Sequence, residues 1–167
     1  RDVPTEDSYV SMICGCARTA IYLGLFTAWG LSVRARVIQR PMRGYLTAIA
    51  ALMVTYMALR SCKYYIFFDP TASRLCWYAY YIPMTLLPLF GLLAAVGLGR
   101  PEGSTPPRPL RALYPAAAAL CAGILTNDLH RLAFRFPALA APAAYERHYT
   151  YGPLYYAAAV WIACCVL

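Results

Sequence analysis

Nothing restricts the fold of this chain more than the distribution of its charges, which gather between long apolar stretches and seldom fall inside them. A helix needs roughly 20 mainly apolar residues to cross a bilayer, and five stretches, at about 9–32, 44–67, 77–98, 110–128 and 150–167, meet that length. Of the 167 residues, 61% are hydrophobic and 13% charged, whereas soluble domains carry about 25% charged residues. A water-soluble fold of this size cannot hide so much apolar surface. The expected fold is therefore all-α, a polytopic membrane helix bundle in which 1–167 forms a single membrane-embedded domain with about five transmembrane helices. The chain opens without methionine and its fifth stretch ends with the chain, so the sequence reads as an excerpt from a longer protein. Arg18 interrupts the first stretch and no small-residue cleavage site follows it, which argues against a signal peptide.

The formal charge is +8, from 15 Lys+Arg against 7 Asp+Glu. These cations are spaced between apolar runs and form neither a stripe nor a tail, so juxtamembrane anchoring accounts for them and nucleic-acid binding is rejected. The bilayer itself is the first partner. Four arginines, Arg34, Arg36, Arg40 and Arg43, crowd the first connector and make it the best cytoplasmic anchor, although the two sides tie in raw basic count. The N-terminus is accordingly placed outside. The connector at 99–109 is Pro-rich and unsuited to helix, and the one at 129–149 is expected to begin as helix and to break at Pro137 and Pro142. The seven cysteines show no ligand spacing and mostly behave as small hydrophobes. Cys62 and Cys76 flank one loop, but free thiols are the favoured reading there.

Polar residues inside such a chain are costly unless paired or functional. The uncharged run Tyr114–Leu125 gives way abruptly to Thr126-Asn127-Asp128-Leu129-His130-Arg131. Continued as helix, Asp128, Arg131 and Arg135 fall at i, i+3 and i+7, which makes Asp128–Arg131 a candidate ion pair, with Asn127, His130 and Phe134 on an adjacent stripe. Ligand or proton sensing and simple helix capping explain this cluster equally well. On the second stretch Arg60, Lys63, Tyr64 and Phe67 share a face, and two cations one turn apart require water, an anion or a carboxylate such as Asp128. Snorkelling to the headgroups is the blander account. Arg18 lies too deep for snorkelling and should face the bundle interior or water. Trp77, Tyr78, Tyr80 and Tyr81 open the third stretch, and Tyr145, Tyr149, Tyr151, Tyr155 and Tyr156 crowd the fifth. They read as an aromatic belt or as the wall of a pocket for an organic ligand or cation. Pro83, Pro88 and Pro153 free backbone carbonyls, as kinks beside cavities do. No hydrolase, P-loop or zinc-protease motif occurs, no catalytic residue is expected, and two histidines, His130 and His148, are too few for a His-rich metal site. No metal or cofactor is expected. Without a lysine in the fifth stretch, a retinal Schiff base there is excluded.

The strings Trp77-Tyr78-Ala79-Tyr80-Tyr81-Ile82-Pro83-Met84, Leu98-Gly99-Arg100-Pro101-Glu102, Leu125-Thr126-Asn127-Asp128-Leu129-His130 with Phe134-Arg135-Phe136-Pro137, and Tyr149-Thr150-Tyr151-Gly152-Pro153-Leu154-Tyr155-Tyr156 span most of the chain. Together they resemble the N-terminal seven-transmembrane-helix sensor region of bacterial histidine kinases, the Thr-Asn-Asp-Leu-His string being the most specific. The chain departs from that pattern in having about five spans and no kinase part. The resemblance implies a bacterial cytoplasmic membrane protein that detects an outer-side or intramembrane stimulus. It would relay that stimulus to a cytoplasmic kinase domain of the same polypeptide and on to a response regulator, acting as a homodimer. The expected ligand-binding residues are Arg60, Lys63, Tyr64, Tyr80, Tyr81, Asn127, Asp128 and His130. Two other functions compete. A transporter or carrier fragment should show charge at the bilayer midplane and repeated halves; Arg18 is the one deep candidate and no repeat is visible. A ligand-free membrane scaffold should bury the Asn127–Arg131 cluster against protein.

Overall fold

In the computed structural model the described residues are 6–66, 69–98, 107–136 and 149–167. Phe67, most of the Pro-rich connector with Arg100 and Pro101, and the segment carrying Pro137, Pro142, Tyr145 and His148 lie outside them.

The described residues are mostly helical. Helix α1 (Glu6–Arg36) closes on Arg34 and Arg36, whose charges complement the exposed carbonyls of a helix C-terminus. A three-residue link leads to α2 (Arg40–Ser61), which opens with Pro41 where a missing N–H costs nothing. So short a link folds the two helices back on each other, and they pack along their length. At Gly30 a Cβ would lie 2.8 Å from that of Ala50, so the absence of a side chain lets the two backbones approach. Helix α2 runs on into a single π-helical turn, Cys62–Ile66.

Helix α3 (Pro70–Ala79) is capped by Asp69, whose carboxylate accepts the Ala72 N–H at 2.9 Å. Helix α4 (Tyr81–Leu98) follows after a break at Tyr80. Pro83 has no N–H to offer the Ala79 carbonyl, so the helical ladder resets there. Pro88 repeats the interruption inside α4. Nearby, Trp161 donates its indole N–H to the Thr85 carbonyl at 3.0 Å and ties α4 to the last helix. The fourth apolar stretch is divided into α5 (Arg108–Arg111), α6 (Leu113–Leu125) and α7 (Asn127–His130). Thr126 turns its hydroxyl back on the Ala122 carbonyl at 2.7 Å, competing with the helix at that boundary. Strands β1 (Phe134–Arg135) and β2 (Thr150–Tyr151) pair antiparallel, and α8 (Pro153–Val166) completes the chain, with Pro153 in its first turn.

The helix expected to continue past Asp128 ends at His130. Arg131 adopts a left-handed backbone, with φ of 52°, and the chain then extends into β1. Asp128, Arg131 and Arg135 therefore share no helical face, and Phe134 leaves the stripe of Asn127 and His130. The physical reason is local: the Asn127 side chain offers the chain beyond Arg131 a better set of hydrogen bonds than another helical turn would.

Helix α4 is central, touching α2, α6 and α8. One core gathers Trp77, Tyr78, Tyr81, Ile124, Ala133, Phe134 and Ala158 where α3, α4, α6, β1 and α8 meet; another forms around Leu89, Leu93 and Ala117. Among the described residues, two helical segments, Arg40–Tyr64 and Thr71–Leu98, are long and apolar enough to cross a membrane. Cys62 and Cys76 are both free thiols.

Candidate functional site

Helix α3 and the α6–α7 junction bring one polar network together. Asn127 is 1% exposed. Its Oδ1 accepts the Ala133 and Phe134 N–H groups at 2.8 and 3.0 Å, and its Nδ2 donates to the Phe134 carbonyl at 3.0 Å and the Tyr78 hydroxyl at 3.1 Å. An amide has two donor hydrogens and one acceptor oxygen with two lone pairs, so the side chain is fully used. Tyr78, also buried, donates its own hydroxyl hydrogen bond to Asp128 Oδ1 at 2.8 Å. Asp128 Oδ2 lies 3.2 Å from an Arg74 guanidinium nitrogen.

The expected Asp128–Arg131 pair does not form: the left-handed turn at Arg131 ends α7, and Arg74 reaches the carboxylate instead. Arg74 and Tyr78 were not among the expected site residues. Their i, i+4 spacing on α3 was the available signal, because it sets both on one helical face.

His130 is equally occupied. Its Nδ1 accepts the Leu132 N–H at 3.0 Å, which leaves the hydrogen on Nε2, 2.9 Å from the Gly123 carbonyl and 3.3 Å from Thr126 Oγ1. Asn127, Asp128 and His130 thus fasten the chain after α7 onto α6 and α3. At the strand pair Gly152 donates to the Ala133 carbonyl at 2.8 Å and Leu154 to the Leu132 carbonyl at 3.1 Å. A Cβ on Gly152 would overlap the Leu132 carbonyl, so this crossing requires glycine. The result is a clasp.

Among the described residues, Trp77, Tyr81, Tyr149 and Tyr155 pack around Phe134 at the clasp. Phe134, with no exposed surface, sits 4.9 Å from Trp77, 5.4 Å from Tyr81 and 5.9 Å from Tyr155, centroid to centroid. Trp77 also meets Tyr149 edge-on at 4.7 Å. Edge-to-face and offset contacts of this kind stabilise beyond the area they bury.

No family model, curated protein or solved structure matches the chain. Function must therefore be argued from the remaining residues, which lie around the π turn.

Tyr64 stands between the two cations of the second stretch: Lys63 Nζ is 4.6 Å and the Arg60 guanidinium carbon 5.9 Å from its ring centroid. Lys63 is largely buried and lies 4.7 Å from the Trp77 ring centroid as well. The negative ring faces thus supply part of the compensation expected from water, an anion or a carboxylate. Arg60 also donates to the Tyr56 hydroxyl at 3.3 Å, and Tyr56 meets Tyr80 edge-on at 5.8 Å, which in turn stacks on Tyr81 at 5.1 Å.

Beside this group a half-open cleft of about 400 Å³ lies between α1 and α2, lined by Arg18, Thr19, Tyr22, Met57, Arg60, Ser61 and Tyr64. Two of the expected ligand residues, Arg60 and Tyr64, line it. So does Arg18, which was expected to face the bundle interior or water. Tyr22, Met57 and Ser61 were not expected there; they belong to the site because α1 and α2 pack together, which no local pattern announces.

Proposed function

We propose that this chain is a membrane-embedded sensory module whose stimulus acts at the α1–α2 cleft, and whose packed clasp transmits the response by moving as one unit with its hydrogen bonds intact. The observation that carries the reading is this division of labour. The polar atoms of Asn127, Asp128 and His130 are engaged within the chain, whereas two arginines, Arg18 and Arg60, line the cleft. Lys63 joins the two regions, being in contact with Tyr64 at the cleft and with Trp77 at the clasp. A ligand that favours one arrangement of α1 against α2 would shift the population of helix packings through that contact.

Residence in the membrane is supported by the two long apolar helices and by the apolar outer surface of α1, where Ile13, Ile21, Leu25 and Leu31 are each about 60% exposed. In this reading α1, the α5–α7 segment and α8 complete a five-helix polytopic bundle in a bacterial cytoplasmic membrane, with the N-terminus outside. Output passes to a histidine kinase domain and from it to a response regulator, as the resemblance of the Thr126–His130 string suggests. A ligand-free scaffold is the second reading, because it expects the Asn127–Arg131 cluster to contact protein; Asn127 is buried, whereas residues 128–131 are exposed. It gives no reason for an open cleft with paired arginines.

The test is autophosphorylation of the complete native polypeptide in nanodiscs with labelled ATP. Acid-labile histidine phosphate is expected, with a level changed at least about threefold by Arg60→Gln. Absence of histidine phosphate would contradict the kinase reading, and indifference to Arg60→Gln would favour the scaffold.

A further inference from the structure

The cleft that the proposed function treats as the stimulus site also has a definite chemical character. Its lining contains Arg18 from α1 and Arg60 from α2 but no carboxylate. Among the described residues neither arginine forms an ion pair; the one ion pair there joins Arg74 to Asp128. The hydroxyls of Thr19 and Ser61 give their protons to backbone carbonyls of their own helices, Gly15 at 3.0 Å and Met57 at 2.9 Å. They are left with lone pairs only. The donor-bearing side chains among the lining residues are therefore the arginines and Tyr22 and Tyr64, whose phenols are not hydrogen-bonded among the described residues. Like charges facing one cavity in a medium of reduced dielectric repel, and an entering anion turns that repulsion into attraction from both sides. Guanidinium forks match the oxygens of a phosphate group better than a point charge does. The cleft, at about 400 Å³, exceeds what one phosphate group fills, and Met57 with the Tyr22 and Tyr64 rings gives the excess an apolar wall.

We propose that the α1–α2 cleft binds a phosphate ester, its anionic oxygens held between Arg18 and Arg60 and its organic part lying along Met57, Tyr22 and Tyr64. The binding chemistry stands on the cleft itself; only its consequence for output rests on the sensor reading. A phospholipid headgroup and a soluble phosphate compound offer the same group, and experiment separates them.

The protein is purified in a non-ionic detergent and examined in two arms. In one, native mass spectrometry counts phosphatidylglycerol retained against an equimolar neutral diacylglycerol. In the other, inorganic phosphate and glycerol phosphate are titrated while tyrosine fluorescence is followed. Binding in either arm is expected to weaken about tenfold in Arg18→Gln and in Arg60→Gln, to vanish in the double variant, and to survive in Arg108→Gln. Arg60→Lys, which keeps the charge and loses the fork, is expected to fall between. Retention of lipid alone supports a headgroup site, and response to glycerol phosphate alone supports a soluble ligand. Because both arginines are exposed, the variants should keep the wild-type unfolding midpoint. Should a variant fail to fold, loss of wild-type binding on raising the salt from 50 to about 500 mM serves instead. Wild-type protein that binds in neither arm, or a folded double variant that binds as well as wild type, overturns the proposal. Binding without any change in autophosphorylation leaves the site standing and removes the sensor reading.

Discussion

At the scale of single residues, the Asn127 side chain holds the turn that follows α7 through its bonds to Ala133, Phe134 and Tyr78. A buried amide that satisfies two backbone N–H groups and one carbonyl cannot be shortened without stranding all three. Asn127→Ala is expected to lower stability by about 3–5 kcal/mol, read as the unfolding midpoint in detergent. Arg131 provides the opposite case. Its left-handed backbone costs an L-residue roughly 1 kcal/mol, and helix ends of this type favour glycine. Arg131→Gly should therefore raise stability by up to about 1 kcal/mol; a clear loss would mean that the arginine side chain is a binding partner after all. The sequence marked Asn127 and Asp128 as anomalous because polar groups stood where an apolar run ended. It could not reveal their partners. Arg74 and Tyr78 lie about 50 residues away in sequence, a pairing visible only after α3 and α6 pack.

At the scale of elements, periodicity located the helices well and their ends poorly. The apolar stretches at about 44–67 and 77–98 correspond to α2 with its π turn and to α3–α4, and the Pro83 and Pro88 interruptions follow from the missing N–H. The helix expected beyond Asp128 yielded to two short strands because a side-chain hydrogen-bond set outcompeted propensity. That outcome is not encoded in any window of neighbouring residues. The strand pair depends on the backbone crossing at Gly152. Gly152→Ala drives a methyl into the Leu132 carbonyl and should separate the Gly152–Ala133 and Leu154–Leu132 hydrogen bonds. A cost of about 2–3 kcal/mol is expected, with faster amide exchange confined to the clasp. Exchange unchanged at Gly152 and Leu154 would show that the strands do not depend on this close approach.

At the scale of the whole molecule, the apolar stretches conveyed the mostly helical class and the packing supplied the division into parts. Eight residues expected around one ligand separate into an engaged clasp, an aromatic core and a cation-lined cleft, with Lys63 in contact with both ends of the path. Arg60 and Tyr64 were legible as candidates because cations and tyrosines on an apolar helix demand an explanation. The α1 half of their cleft was not, because it depends on the α1–α2 approach at Gly30. The most direct measurement of this division is differential amide exchange by mass spectrometry on the protein in nanodiscs, with and without phosphatidylglycerol or glycerol phosphate. The account predicts strong protection at Ala133, Phe134, Gly152 and Leu154 that does not depend on the ligand, together with ligand-dependent protection around Arg18–Tyr22 and Met57–Tyr64. Ligand-dependent change confined to Asn127–Phe136, with the α1–α2 segments unaffected, would contradict it.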